Sequence, residues 1–224
     1  MYALLEFDNC IIMQQTEFSK TKYFLEKENE VDEDELKTFL GKEKYKKVQS
    51  FLNGKITDKL FCNDSSLKNV IIPDTAIEIG TIAFYNCENL ESVIIPNSVE
   101  TIKDYAFAKC TKLKTMEIPN KIVQINEGVF YCCLALKEIQ LHNNIKKIKQ
   151  NAFFNCPNLK FITLPENLAK IEKYAFAGCC GLSAIEYKKN NYQINKYFLK
   201  QFFYILALNH VKFEEYSFDL IRMQ

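Results

Sequence analysis

The sequence predicts a mostly β solenoid of short parallel strands, with irregular or 3-10 return segments and a helical N-terminal cap, and three observations carry that prediction. Phenylalanines recur at Phe61, Phe84, Phe107, Phe130, Phe153 and Phe176, each 23 residues after the last. Leu67, Leu90, Leu113, Leu136, Leu159 and Leu182 keep the same step. A short apolar alternation such as Leu90, Val93, Ile95 returns at the same offset in each unit. A period of roughly 20 to 29 residues with leucines in register is the signature of a leucine-rich repeat solenoid, in which stacked units share a core that none could build alone.

Residues 1–53 are expected to form an N-terminal capping region, largely helical. Asp32 and Glu35 have capping-box spacing, and Leu36, Phe39, Leu40, Tyr45, Val48, Phe51 and Leu52 recur at roughly helical intervals up to Asn53-Gly54. The pattern predicts one helix or two short ones. Acids gather at its start and Lys44, Lys46 and Lys47 near its end, the polarity a helix dipole favours. Before it, Tyr2–Phe7 and Cys10–Met13 flank Asp8-Asn9 and fit either a hairpin or a first helix. A first strand without a neighbour would leave an open edge and an apolar end in water, so a cover is expected here.

Residues 54–187 hold the repeats. Leu90, Val93 and Ile95 point inward, matched by Leu67, Val70, Ile72; Leu113, Met116, Ile118; Leu136, Ile139, Leu141; and Leu159, Ile162, Leu164. Prolines end the strands at Pro73, Pro96, Pro119 and Pro165, where the lost donor is tolerable because the ladder stops, and His142 takes that place once. The return path carries its own apolar pair, Val99 and Ile102, repeated as Ile122 and Ile125, Ile145 and Ile148, and Leu168 and Ile171. It therefore packs inward as well. Beyond residue 187 only Ile194, Tyr197 and Leu199 keep step, so residues 188–224 read as a degenerate repeat and C-terminal cap, and the aromatic 197–208 stretch is where any self-association would fall if that cap is incomplete.

Units reading Leu-x-x-Ile-x-Ile-Pro, then Val-x-x-Ile, then Ala-Phe-x-x-Cys resemble the BspA-like class of leucine-rich repeats over residues 56 to 187. The departures are Asp64 at the first cysteine place, Val129 for alanine beside Phe130, and Tyr187-Lys188 where Ile-Pro would stand. The resemblance implies a non-enzymatic binding protein, one version of which is a surface adhesin that holds host or matrix proteins.

Of nine cysteines, Cys87, Cys110, Cys133, Cys156 and Cys179 share one repeat position and should stack as a ladder. Neighbouring strands lie about 4.8 Å apart, but side chains pointing the same way seldom meet disulfide torsions. Reduced thiols are expected, acting as small buried residues with a weak hydrogen bond to the turn backbone. The odd count also fits a reducing compartment. The doublets Cys132-Cys133 and Cys179-Cys180 lack the spacing and the histidines of a zinc site, so no metal is expected.

Net charge is +1, which argues for no global field toward nucleic acid or membrane. The charge is uneven, with 11 lysines against 4 acids over residues 131–200. That block reads first as a solvated edge. As a nucleic-acid site it lacks arginine and aromatic interleaving on one face, which disfavours such a partner. No stretch is long and apolar enough to cross a bilayer, so no membrane insertion is expected. The N-terminus lacks the basic-then-apolar pattern of a leader, which together with the thiols points to a cytoplasmic protein, with the cell surface as the alternative. His142 and His210 sit in no nucleophile or metal motif, and no phosphate-binding loop occurs, so neither catalytic residues, a cofactor nor a small-molecule substrate is expected.

What remains is the exposed side of the strands. The candidate protein-binding residues are Asn69, Ile71, Ser92, Ile94, Thr115, Glu117, Glu138, Gln140, Phe161 and Thr163. Ile71, Ile94 and Phe161 are apolar where a purely solvated sheet would be polar, and such side chains anchor interfaces, although β-branched residues also suit strands for their own sake. Six short strands offer only a few hundred Å², below the roughly 800 Å² per partner of a standard interface, so the flanks or caps would have to contribute. The expected function is a protein-protein interaction module, either an intracellular scaffold or adaptor or, alternatively, an adhesin.

Overall fold

The computed structural model describes residues 2–7, 11–17, 20–25, 29–182 and 184–187. Four strands, β1 (Tyr2–Phe7), β2 (Ile11–Glu17), β3 (Lys20–Leu25) and β4 (Asn29–Val31), precede one helix, α1 (Glu33–Leu52). The repeats follow as long-side strands β5 (Leu67–Ile71), β7 (Ser92–Ile94), β9 (Thr115–Glu117), β11 (Glu138–Gln140), β13 (Phe161–Leu164) and β15 (Ala184–Tyr187). They alternate with two-residue return strands β6 (Glu78–Ile79), β8 (Thr101–Ile102), β10 (Gln124–Ile125), β12 (Lys147–Ile148) and β14 (Lys170–Ile171). This is the predicted leucine-rich repeat solenoid.

The repeat period is the pairing register. Asn69 pairs in parallel with Ser92, Ser92 with Thr115, and Thr115 with Glu138. The return strands form their own parallel ladders, β6 with β8 and β10 with β12 with β14. At the corner the amides of Phe61, Phe84, Phe107, Phe130 and Phe153 donate to the carbonyls of Ala83, Ala106, Val129, Ala152 and Ala175 in the next coil, at 2.7–3.1 Å. The coils are thus hydrogen-bonded to one another along the strands and the corner, and on the return side everywhere but between β8 and β10, where the Asn126 side-chain amide donates to the Ile102 carbonyl at 2.6 Å instead.

The core is a set of columns. The six phenylalanine rings stack with centroids 5.1–6.4 Å apart, and Phe51 of α1 meets the first of them edge-on at 5.9 Å. Each ladder cysteine is buried, and its Sγ donates to the carbonyl of a corner phenylalanine, from Cys87 to Phe61 at 3.1 Å through Cys179 to Phe153 at 3.0 Å. The turn carbonyls of Pro73, Pro96, Pro119 and Pro165 accept from Ala76, Val99, Ile122 and Leu168, and that of His142 accepts from Ile145 in the same way.

Two left-handed residues per coil flank the phenylalanine. One column is Lys59, Ile82, Tyr105, Gly128, Asn151 and Tyr174, with φ of 55–60°. The other is Asn63, Asn86, Lys109, Cys132, Asn155 and Gly178, with φ of 54–77°. Asparagine and glycine tolerate this region, whereas the β-branched Ile82 at φ 59° is strained. At Gly128 (φ 57°) a Cβ would sit 2.1 Å from the Tyr105 ring, which lies across it.

The N-terminal half of the cap departs from the largely helical expectation. Of the two readings of its first residues the hairpin is the one formed: β1 and β2 pair antiparallel, and β3 and β4 continue the sheet. β1 also pairs antiparallel with β5, setting Leu5 opposite Val70. The reason is the open edge of β5, whose unpaired backbone groups β1 continues as a ladder. Leu5 and Ile12 are fully buried beneath it.

Helix α1 begins with the predicted capping box. Asp32 accepts from the amides of Asp34 and Glu35 at 2.9 Å, and the Glu35 carboxylate accepts from the Asp32 amide at 3.2 Å. Gly41, at φ 72° and ψ 161°, interrupts it, so it is two short helical segments end to end. Its last turn holds no basic residue, so the dipole argument applies to the acidic start alone. Cys10, the 197–208 stretch, His210 and the expected C-terminal cap lie outside the described residues.

Candidate protein-binding face

The ten residues read from the sequence all lie on the outer face of the long-side strands. Inward neighbours Val70, Val93, Met116, Ile139 and Ile162 are buried, and strict alternation turns the residues between them outward. The face falls into columns: Asn69, Ser92, Thr115, Glu138 and Phe161 form one, and Ile71, Ile94, Glu117, Gln140 and Thr163 another.

The columns differ in how far their members are committed internally. Asn69 Nδ2 donates to Glu6 Oε2 of β1 at 2.6 Å, and Ser92 Oγ donates to Asn69 Oδ1. This chain ties the antiparallel strands to the first repeats. Gln140 Nε2 lies 3.5 Å from Glu138 Oε1. Ile71 is half-buried, whereas Ile94 and Phe161 are 59% and 49% exposed. The three apolar residues therefore do not form one patch. Ile94 on β7 and Phe161 on β13 stand three strand steps apart, about 14 Å at ordinary strand spacing, with polar Thr115, Glu117, Glu138 and Gln140 between.

A lysine column borders the face. Lys114 Nζ donates to Glu91 Oε2 at 2.6 Å and holds that carboxyl below its usual range. Lys137 and Lys160 occupy the next two rungs, joined through the Lys160 amide donating to the Lys137 carbonyl at 3.3 Å. The rest of the described basic block is on the return side. There Glu172 pairs with Lys147 at 2.9 Å and Lys170 at 3.1 Å, and its carboxyl is pulled down to about 2, chiefly by the Lys147 hydrogen bond. The block is divided between two surfaces.

The sheet that carries the face is larger than the repeats suggested. Its order is β11-β9-β7-β5-β1-β2-β3-β4, so four antiparallel strands extend it past the first repeat. Glu6 is a face residue that sequence reasoning missed. Its signal was the alternation within Tyr2–Phe7, which the competing helix reading obscured.

The thiols offer no chemistry at the surface of the ladder. Burial pushes the Cys87 thiol up to about 12, and Cys110, Cys133 and Cys156 are raised by the same desolvation. Among the described residues all cysteines are free, Cys180 is exposed, and Cys62 and Cys132 are half-buried. His142 is also half-buried, with Nε2 2.9 Å from the Pro119 carbonyl and Nδ1 accepting from the Asn144 amide at 3.3 Å. It bridges two coils rather than standing in a catalytic group.

A mostly β solenoid with parallel 23-residue coils, a buried phenylalanine and cysteine ladder and one open strand face defines a leucine-rich repeat protein. The family profile described as BspA type Leucine rich repeat region matches in six copies over residues 78–206, more than half of the chain, and the chain belongs to that family. A leucine rich cell surface protein from Faecalibacterium prausnitzii is similar at 29% identity, with a TM-score of 0.50 over 62% of this chain and 44% of that one. A leucine-rich repeat protein of T. pallidum is similar at 25% identity, with a TM-score of 0.59 over 67% of this chain and 75% of that one. The chain thus spans less than half the length of the Faecalibacterium protein. No curated protein matches it significantly.

Proposed function

We propose that this protein is a non-enzymatic protein-binding module of a cell surface, and that it engages its partner through the outer strand face. The observation that carries this reading is the continuous sheet running from β4 through β1 into the repeats as far as β11, with Ile94 exposed on it and Phe161 exposed on β13 of the next coil. The added strands supply the area that the repeats alone lack for a standard interface. Exposed aliphatic and aromatic side chains at the two ends of a polar stretch give a partner two anchoring points.

The cell-surface reading is favoured over the cytoplasmic scaffold by the likeness to the Faecalibacterium cell surface protein. The cysteine argument for a reducing compartment loses its weight in the structure. Thiols that are buried, raised in pKa and hydrogen-bonded to carbonyls act as packing residues in any redox environment. Among the described residues no helix is long and apolar enough to cross a membrane.

Two measurements test the reading. Protease shaving of intact source cells should release peptides of this protein, and protection until lysis would return it to the cytoplasm. Immobilised extracellular-matrix proteins should capture the wild type and lose the Ile94→Lys, Phe161→Lys double variant. Capture unaffected by that variant would remove the face from the interaction.

A further inference from the structure

A cleft of about 450 Å³ opens at the rim of the face, where β7, β9 and β11 turn away into their returns. Its lining mixes Ile95, Pro96, Pro119 and Leu141 with polar Asn97 and Asn120, and most of its accessible surface is polar. Glu117 and Gln140 also line it, and both are exposed. The cleft coincides with a local loosening of the core. Ile95 is only half-buried, and Ile118 and Leu141 are 7% and 8% exposed, whereas Ile72 and Leu164 in the same column are 1% and 2% exposed.

The charge of the cleft has one source. Among the described residues the Glu117 carboxylate forms no ion pair. Lys121, beside the cleft in sequence, is held by Glu100 at 2.7 Å. Lys114 and Lys137 lie three residues before Glu117 and Gln140, about 10 Å away along the strands. The ring nitrogens of His142 face the Pro119 carbonyl at 2.9 Å and the Asn144 amide at 3.3 Å.

We infer that this cleft receives an arginine or lysine side chain of the protein partner. Half-buried Ile95 and Pro96 give the methylene stem of such a residue a short apolar contact, and the Glu117 carboxylate in the lining meets its charged head. Arginine suits the site best, since a guanidinium can engage the carboxylate through two parallel hydrogen bonds and leave a further N–H for the Gln140 side-chain oxygen. The inference rests on the protein-binding reading and gives the partner surface a chemistry: a basic residue seated between the contacts made to Ile94 and Phe161.

The test is an amide-resolved NMR titration of the full chain with N-acetyl-arginine methylamide, and with N-acetyl-glutamate methylamide as the opposite charge. The arginine probe should give saturable shifts confined to Glu117, Asn120, Gln140 and His142, and the glutamate probe none. Glu117→Gln, at an exposed position, should keep the spectrum of the fold and weaken the arginine probe about tenfold, the effect of losing one charge-assisted hydrogen bond. Absence of saturable shifts, equal response to both probes, or an unchanged affinity in Glu117→Gln overturns the inference. These outcomes leave the face itself untouched, because that reading stands or falls on partner capture by the Ile94 and Phe161 variants.

Discussion

The inside and the outside of this solenoid obey different rules although they alternate along the same strands. Inward columns stay apolar on every rung, and three of them keep a single residue type: six phenylalanines, six leucines, five cysteines. Outward columns change at nearly every rung, from Ile71 and Ile94 to Glu117, Gln140 and Thr163. An inward residue must fit the apolar residue above and below it, so the stack selects a narrow range of shapes. An outward residue answers to solvent or to a partner. Repetition therefore marks what holds the molecule together, and its loss marks where recognition can be written.

The sharpest way to break the comparison is to damage one rung of each kind. Phe107→Ala empties a fully buried ring from the middle of a stack whose neighbours lie 5.2 and 6.4 Å away. It should cost about 3–5 kcal/mol in denaturant unfolding. A loss below about 1 kcal/mol, the scale of an ordinary surface substitution, would mean that the column is not the spine of the fold.

What was legible in the sequence follows the same division. The strands, the proline turns, the return pair and the cysteine ladder all repeat, and the period alone located them. The antiparallel strands do not repeat, and their short alternation before α1 suits a hairpin and a helix equally until the open edge of β5 is present to receive Leu4 and Leu5. The face residues were legible by alternation, but their grouping was not: hydrogen bonds from Asn69 to Glu6 and from Ser92 to Asn69 use polar groups that the pattern left free. The left-handed columns had a signal in Asn63, Asn86, Asn151, Asn155, Gly128 and Gly178. Lys59, Ile82, Tyr105 and Tyr174 on the same rungs hid it.

Those columns sharpen the comparison, since they repeat in backbone but vary in side chain. Ile82 carries a β-branched residue at φ 59°, where Asn86 four residues later sits at φ 58° without such strain. Ile82→Asn should raise stability by about 1 kcal/mol, the cost of the left-handed region for a branched residue, visible as a higher unfolding midpoint at unchanged slope. A destabilised variant would show that packing of the Ile82 side chain outweighs its backbone.

A smaller effect separates the return side from the face by charge. Glu172 titrates at about 2, below its ordinary 4.5, because Lys147 and then Lys170 hydrogen-bond the carboxylate. A depressed carboxyl contributes stability above its ordinary value and loses it as pH falls from about 4.5 through about 2. Lys170 is 55% exposed, so solvent screens the cluster and Glu172→Gln should cost less than about 1 kcal/mol at neutral pH. The difference between wild type and variant should close as pH approaches 2, and a difference that persists there would assign it to packing rather than charge.

The smallest effect on stability belongs to the face, and its smallness is what makes it informative. Ile94 is 59% exposed and Phe161 49%, so replacing either by serine removes little buried area and should shift stability by no more than about 0.5 kcal/mol. Strand preference works in the same direction and is modest at an exposed site. If each variant unfolds at the wild-type midpoint while partner capture falls, those side chains serve recognition. If Ile94→Ser unfolds markedly earlier, Ile94 belongs with the inward columns as a packing residue of the β5 and β7 pair. The isoleucines at Ile71 and Ile94 would then be strand formers, and Phe161 alone would be the apolar anchor of the face.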